Sequence, residues 1–251
     1  MNKTKEKVNA AIVIIGNEIL SGRTQDVNVV AISNWLNALG VKLEEVRVIP
    51  DTENSIIKTV NELKFFFNYV FTTGGIGPTH DDITSKSIAK AFSLSYGHHK
   101  EAYTILEKYY GKSKFNAGRK KMARMPIKAS LILNPSSGAP GFIVDNVYCL
   151  PGVPSILKSM LGGLNNKIKG GKKILSRTIS VQTVESEIAK SLEDVQHKFK
   201  KVEIGSYPFF RLGKIGVSIV IRSTDNKKID DCYKEIVSFL KKKKINMVGK
   251  K

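Results

Sequence analysis

The chain has 251 residues, enough for one large domain or two modest domains with a real hydrophobic core. It carries 41 Lys and Arg against 22 Asp and Glu, a formal net charge of +19 that favours anionic partners such as nucleic acid, anionic lipid or phosphorylated small molecules. The apolar run at 10–15 is too short for a signal-peptide core or a membrane span, and Cys149 and Cys232 fit no metal-ligand spacing. We therefore expect a cytoplasmic protein that has free thiols and no membrane association.

The basic charge has two alternative explanations. It either serves a function, or it reflects a general lysine-rich composition. The lysines are scattered along the chain apart from the short runs at 172–173 and 241–244. We identify no stretch that interleaves basic and aromatic residues as a base-stacking groove would. We therefore expect no specific nucleic-acid binding, and a flat dependence of affinity on salt would eliminate non-specific binding as well.

Alternating strand and helix patterns predict a parallel sheet covered by helices in the first part of the chain. Continuous apolar runs suit strands that are buried on both faces, and the segments between them have helical spacing. This order is typical of a doubly wound α/β sheet. The predicted elements are strand 9–15, helix 26–40, strand 41–51, helix 53–66, strand 69–73 and a helix ending at 92.

The later part of the chain is predicted to complete this domain and to begin a second one. After a helix at 99–112, the segment 129–157 alternates strands with two Pro- and Gly-rich loops and ends in a helix. The Gly-rich polar segment 162–173 marks a boundary, so we assign 1–165 to an α/β domain and 166–251 to a small α+β domain.

The segment TTGGIGPTHDD, at 72–82, joins a predicted strand to a predicted helix. Glycines at such a strand end let backbone N–H groups approach an anion, and the helix N-terminus adds partial positive charge. Asp82 or Thr84 is expected to cap this helix. The segment lacks the Gly-Lys-Ser/Thr of a P-loop and is no dinucleotide fingerprint, and an ordinary tight turn remains the structural alternative.

Acidic residues follow three successive predicted strands: Glu18 follows the first, Asp51 the second, and Asp81 and Asp82 the third. Carboxylates beside a phosphate-binding backbone would repel a bare anion, but a divalent cation held by one or two carboxylates and the ligand's phosphates reconciles them. Together these residues predict a polyphosphate or nucleotide-like ligand that binds with a metal ion. The loops at 134–141 and 151–155 are further candidate ligand loops.

Five motifs, in order, resemble the molybdopterin-binding-domain superfamily, in the branch called competence/damage-inducible protein A (CinA) N-terminal-like. They are GNEILSGRTQDVN, TTGGIGPTHDDIT, RKKMARMP, NPSSGAPGF and LPGVPS, which lie roughly within residues 9–165, and GSYP further on gives a looser match. The resemblance implies a three-layer α/β/α sandwich with a mostly parallel sheet, followed by a small α+β domain.

The resemblance also implies an activity. In molybdenum-cofactor enzymes of this superfamily the pocket binds molybdopterin; in CinA-type relatives it is linked to metal-dependent hydrolysis of nucleotide pyrophosphates, notably ADP-ribose, and in eukaryotic FAD synthases a related domain hydrolyses FAD. We therefore expect a pyrophosphatase using Mg²⁺ or Co²⁺, and self-association as a dimer or trimer. The residues that the resemblance carries over are Asp51 and Asp82 for catalysis, Gly74, Gly75 and Gly77 for phosphate binding, and Asp82 and Asp81 for the metal. Arg23, in the loop after the first strand, is predicted to neutralise developing charge. The other residues predicted to bind the ligand or its phosphates are Gly16, Glu18, Thr73, Pro78, Thr84, Ser137 and Gly152.

Two positions depart from the family's pattern. Asn17 stands where many members have Asp, and Ile156 stands where many have Glu after the PGVPS loop. These departures favour the alternative of a non-catalytic pterin- or nucleotide-binding module. Full-length CinA proteins also carry a C-terminal amidase domain that deamidates nicotinamide mononucleotide, and we do not expect that activity in this chain.

Overall fold

The structure, a computed structural model, describes residues 8–211 and 213–248. These residues divide into two compact units, one ending at Gly171 and the other beginning at Lys172. Within these described ranges, no helix is long and apolar enough to cross a membrane.

The first unit alternates strands and helices, as the sequence predicts. Its strands are β1 (Asn9–Ile15), β2 (Lys42–Ile49), β3 (Tyr69–Thr73), β4 (Tyr96–His98), β5 (Arg124–Pro126), β6 (Ser130–Ile132), β7 (Gly141–Val144) and β8 (Val147–Leu150). Its helices are α1 (Asn17–Leu20), α2 (Asn28–Ala38), α3 (Glu53–Phe66), α4 (Thr84–Ala91), α5 (Lys100–Tyr110), α6 (Ala117–Lys121) and α7 (Pro154–Leu161), with 3₁₀ turns at Lys112–Lys114 and Gly162–Leu164.

The main sheet of this unit has the strand order β2-β1-β3-β8-β7-β6. β2, β1, β3 and β8 are parallel, whereas β7 and β6 add an antiparallel edge. The chain leaves β1 for β2 on one side and later returns to β3 on the other side. This reversal of strand order opens a crevice at the carboxyl ends of β1 and β3, which is where open α/β sheets bind their ligands.

The central sheet separates two hydrophobic cores, which explains why the β1 sequence is apolar throughout. Ala11, Val13 and Ile15 belong to the core under α3, α4 and α5, and Ile12 and Ile14 belong to the core under α2 and α7. Burial on both faces is the pattern expected of a strand inside a parallel sheet. The result is a three-layer α/β/α arrangement.

The second unit is a four-stranded antiparallel sheet with two helices. Its elements are β9 (Leu175–Val181), α8 (Glu185–Lys198), β10 (Glu203–Arg211), β11 (Lys214–Ser223), α9 (Asn226–Lys242) and β12 (Met247–Val248), and the strand order is β10-β11-β9-β12. Its separate core joins the inner face of the sheet to apolar residues that α8 and α9 present at helical spacing.

The predicted fold class is confirmed, and most element bounds agree with the sequence patterns to within a few residues. The short elements α1, α6, β4, β5 and β12 were not predicted. The predicted domain boundary at 165/166 falls in the same Gly-rich polar segment as the division at Gly171. Cys149 is fully buried in β8, and this burial raises the pKa of its thiol to about 12.

Candidate functional site

A cavity of about 600 Å³ lies at the carboxyl ends of the parallel strands. Its walls include the last residue of β1 (Ile15), the segment after β2 (Asp51), the glycine loop after β3 (Gly74–Gly77) and the loop after β8 (Pro151–Pro154). Its volume lies within the range of small-molecule sites in proteins. The cavity therefore occupies the crevice that the strand order creates.

The glycine loop, residues 74–77, adopts backbone conformations that require glycine at its start. Gly74 has φ +98°, and a Cβ atom there would lie 2.3 Å from the backbone oxygen of Ile15. Gly75 has φ +67°, and its carbonyl accepts a hydrogen bond from the Thr84 N–H at 2.9 Å. Within the described chain, the N–H groups of Gly75, Ile76 and Gly77 donate no hydrogen bond, so they remain available to an anionic ligand.

The Asp82 carboxylate is held by its own loop. Its Oδ2 accepts hydrogen bonds from the Thr79 N–H at 2.7 Å and from the Thr79 hydroxyl at 2.5 Å. The prediction that Asp82 or Thr84 caps α4 is wrong: Ile83 occupies the cap position, and no side chain makes a capping hydrogen bond there. Thr79 competes successfully for the Asp82 carboxylate because it offers two donors three residues away.

Asp81 is exposed beside Asp82, and its pKa lies below the ordinary value. The main cause is a hydrogen bond from Thr79, whose hydroxyl lies within reach of both carboxylates, followed by a hydrogen bond from the Asp81 backbone. The charges of His80 and Lys121 add smaller effects in the same direction. Asp81 is therefore fully ionised at neutral pH.

The Asp51 side chain contacts the segment after β1 through the side-chain amide of Asn17. The Asn17 side-chain Nδ2 donates a hydrogen bond to Asp51 Oδ1. Glu18 folds back over Gly16, where an added Cβ would lie 2.5 Å from Glu18 Oε1. Position 17 thus presents a hydrogen-bond donor to Asp51 instead of a second carboxylate.

The opposite wall is built from the loop at 134–140. Asn134 is buried, and its Oδ1 accepts hydrogen bonds from the N–H groups of Ser136 and Ser137 at 2.9 and 3.0 Å. Its Nδ2 donates to the Ser137 hydroxyl oxygen at 2.7 Å, which leaves the hydroxyl proton of Ser137 free to reach a ligand. The loop after β8 is fixed in a similar way, because the Asn28 Nδ2 donates to the Gly152 carbonyl at 2.8 Å.

Most of the sequence-predicted site residues lie on the cavity wall, and three do not. Thr73 lines an adjoining recess of about 90 Å³ instead. Thr84 is buried, and the Cβ position of Gly75 lies 2.1 Å from its Oγ1, so Thr84 supports the loop from below. Arg23 is exposed after α1 and lines neither space. Those on the wall are Gly16, Glu18, Asp51, Gly74, Gly75, Gly77, Pro78, Asp81, Asp82, Ser137 and Gly152.

Sequence reasoning missed several residues of the wall. Asn134 could have been found, because an Asn followed by Pro and two serines is a turn signal in which the Asn side chain binds nearby N–H groups. Met122 lies within the motif RKKMARMP, but nothing in that motif singles it out as a residue of the cavity wall. Val153 lies in the predicted ligand loop at 151–155 but was not singled out, and Thr24 and Ile76 were not predicted individually.

The donor atoms for a cation are carboxylates on the cavity wall. Within residues 8–211 and 213–248, no three or more His, Cys, Asp and Glu side chains are grouped so that they could hold a metal ion. Mg²⁺ is commonly bound by one or two carboxylates together with ligand phosphates, and Asp51 and Asp82 on one cavity can supply such a pair. Asp51 and Asp82 could therefore hold a cation only together with oxygen atoms that a ligand supplies.

The fold and cavity define a class: an α/β domain whose mainly parallel sheet carries a small-molecule cavity at the topological switch point. Residues 11–169 match the family described as "Probable molybdopterin binding domain". The chain therefore belongs to the molybdopterin-binding-domain family, in its CinA-like branch. Residues 173–248 are similar to the family described as "FAD synthase, middle domain".

Individual relatives agree with this assignment. A protein of Archaeoglobus fulgidus is 32% identical over 234 residues, which cover 93% of this chain and 98% of the relative. A CinA-like protein of Prochlorococcus marinus (strain MIT 9312) is 28% identical over 98% of this chain, but the match spans only 60% of that relative's length. The crystal structure of the protein CinA from Thermoplasma acidophilum has a TM-score of 0.60 and 30% identity, covering 65% of this chain and 99% of that chain.

Proposed function

We propose that the cavity binds a nucleotide through its diphosphate and that the chain hydrolyses this diphosphate with the help of a divalent cation. ADP-ribose is the proposed representative of the substrate class. The observation that carries the proposal is a single cavity lined both by the glycine loop, with its unpaired N–H groups, and by Asp51 and Asp82.

The glycine loop would bind the diphosphate through its backbone. Unpaired N–H groups of Gly75, Ile76 and Gly77 can each donate to a phosphate oxygen, and no side chain at positions 75 and 77 blocks the approach. The Ser137 hydroxyl and the Gly152 loop would contact the remainder of the nucleotide from the opposite wall. Arg23, which is exposed and outside the cavity, has no role in this proposal.

Asp51 and Asp82 would hold the cation, which when bound polarises phosphoryl oxygens and lowers the pKa of a bound water. The chain's own contribution is to orient both carboxylates by hydrogen bonds. Asp82 is fixed by the two hydrogen bonds from Thr79, and Asp51 by the hydrogen bond from Asn17. Asp81, exposed at the same edge, would add negative charge that attracts the cation.

The test is a turnover assay on the full chain with product identification by mass spectrometry. ADP-ribose, FAD and NAD are each incubated with Mg²⁺, with Co²⁺ or with a chelator. The proposal predicts AMP and ribose 5-phosphate from ADP-ribose, with product formation abolished by the chelator. Absence of product from every compound and both metals would contradict it.

A non-catalytic binding module is the second candidate function. The amide of Asn17 next to Asp51 favours it, because the family's usual carboxylate at that position is missing. A pterin such as molybdopterin, or a nucleotide, would then bind without conversion. Ligand-dependent thermal stabilisation that persists with chelator, in the absence of any product, would support this candidate over hydrolysis.

A further inference from the structure

A strongly basic segment lies beside the cavity. Residues 112–121 contain five basic side chains and no acidic one. We call this set the basic rim: Lys112, Lys114, Arg119, Lys120 and Lys121. It spans the 3₁₀ turn after α5 and helix α6. The sequence expectation of scattered lysines overlooked this concentration because the rim is interrupted by uncharged residues.

One hydrogen bond and two further observations place the basic rim next to the cavity. Lys121 Nζ donates a hydrogen bond to the Thr79 carbonyl, in the loop that holds Asp82. Met122, the next residue along the chain, lines the cavity. A Cβ added to Gly118 would lie 3.6 Å from the Cβ of Pro78, which is also on the wall. The rim therefore borders the cavity at the end of the glycine loop.

The protein neutralises the basic rim only slightly, since the charge of Lys121 has a small effect on the Asp81 carboxylate. None of the five forms an ion pair with an Asp or Glu anywhere in the described chain, whereas Arg47, Lys90 and Arg177 each do. The Arg119 guanidinium lies 4.1 Å from the Tyr110 ring centroid and donates to the Lys114 carbonyl. Aromatic faces and carbonyls position these cations but leave their positive charge available to an anion.

We propose that the basic rim binds a second anionic group of the ligand, a phosphomonoester separate from the diphosphate. This inference rests on the proposed function, because it narrows the substrate class of the same cavity. The cavity would then take nucleotides that carry a diphosphate and one further phosphate. The glycine loop and the cation held by Asp51 and Asp82 bind the diphosphate, and the basic rim binds the additional phosphate.

Matched ligand pairs that differ by one phosphate test this proposal. Affinities of ADP-ribose and ADP-ribose 2′-phosphate, and of dephospho-coenzyme A and coenzyme A, are measured by calorimetry on the full chain with Ca²⁺ in place of Mg²⁺. The additional phosphate is expected to tighten binding about tenfold in at least one pair. Preference in the first pair only, or in the second only, identifies a 2′- or a 3′-phosphate as the group that the rim accepts.

Two triple variants distinguish binding of the phosphate at the basic rim from a general effect of the protein's positive charge. Lys112→Gln with Lys114→Gln and Lys120→Gln is expected to reduce the affinity ratio within the preferred pair to about one. The control replaces Lys227, Lys228 and Lys241 of α9 by Gln, which removes the same charge from the second unit. This control is expected to keep the wild-type ratio.

Several outcomes would overturn the proposal. One is equal affinity within both pairs, and another is a preference lost equally in the control variant. A single-stranded RNA that binds the wild type more tightly than all four nucleotides, and loses that binding in the rim variant, would assign the rim to nucleic acid instead. Because these measurements need no turnover, a failure to hydrolyse ADP-ribose would contradict the proposed function and leave the rim result standing.

Discussion

Gly74 and Gly77 stand at the two ends of one loop and are glycines for different physical reasons. At Gly74 the backbone has φ +98°, and a side chain would meet the backbone of Ile15. At Gly77 an added Cβ would lie 2.7 Å from Asp82 Oδ2, a side-chain atom of the candidate site. The first glycine is needed for the fold, whereas the second keeps the space in which a proposed catalytic carboxylate lies. A glycine-rich motif thus combines residues that serve stability with residues that serve the site.

Gly74→Ala is expected to give the largest effect on stability. Left-handed strain and overlap with the Ile15 carbonyl together should cost about 3 kcal/mol, measured as the free energy of unfolding in urea. Gly22→Ala is the matched control, since Gly22 has φ +73° with nothing within 4 Å of its Cβ position, so strain alone should cost about 1 kcal/mol. Equal losses in the two variants would show that the contact with Ile15 is unimportant.

Gly77→Ala should lower the activity without lowering the stability of the fold. The added methyl group displaces the Asp82 carboxylate, so we expect kcat/KM for ADP-ribose to fall about 10- to 100-fold while stability changes by less than about 1 kcal/mol. Steady-state kinetics and urea unfolding on the same preparations measure both quantities. Gly163→Ala, with open space around its Cβ position, controls for the substitution itself. A stability loss as large as that of Gly74→Ala would break the distinction between the two glycines.

Asn17→Asp tests the second proposed catalytic carboxylate, that of Asp51. Replacing the amide that donates to Asp51 by a carboxylate places two negative charges together, which should destabilise the metal-free protein by about 1 kcal/mol. A cation would relieve this repulsion, so Mg²⁺ should raise the melting temperature more in the variant than in the wild type. Identical Mg²⁺ responses in the two proteins would argue against a cation at Asp51.

Asp81→Asn should give the smallest effect, and one that depends on pH. The pKa of Asp81 is lowered in the folded protein, chiefly by Thr79, so its ionisation stabilises the fold above the ordinary Asp pKa of about 4. That contribution is lost as the pH falls through the lowered pKa. The variant should therefore melt slightly below the wild type at pH 7, and the two melting temperatures should converge in acid. A difference that grows in acid would contradict this sign.

The sequence predicts the fold well because its signals are local. The apolar run of β1 and the helical spacing of α2 and α3 each depend on neighbouring residues, and burial on both faces of β1 follows directly from its composition. The family resemblance then supplied the layer arrangement. α6 was missed because a helix of five residues produces no clear periodicity.

The site was only partly predictable because several of its contacts join distant or competing groups. Asp82 was expected at a helix cap, yet the two donors of Thr79 hold its carboxylate away from α4. The approach of Lys121 to Thr79 joins residues 42 positions apart and has no local signal. Arg23, predicted from its position in the loop after β1, lies outside the cavity, whereas its neighbour Thr24 lines it.

The central claim is that Asp82 and Asp51 serve hydrolysis rather than folding. The most direct measurement is AMP release from saturating ADP-ribose with Mg²⁺ by the wild type, Asp82→Asn, Asp51→Asn and Asp81→Asn, with urea unfolding of each. We predict turnover in the wild type, a loss of at least about 100-fold in Asp82→Asn and Asp51→Asn, and a small loss in Asp81→Asn. Full turnover by Asp82→Asn, or its loss only together with unfolding, would contradict the account.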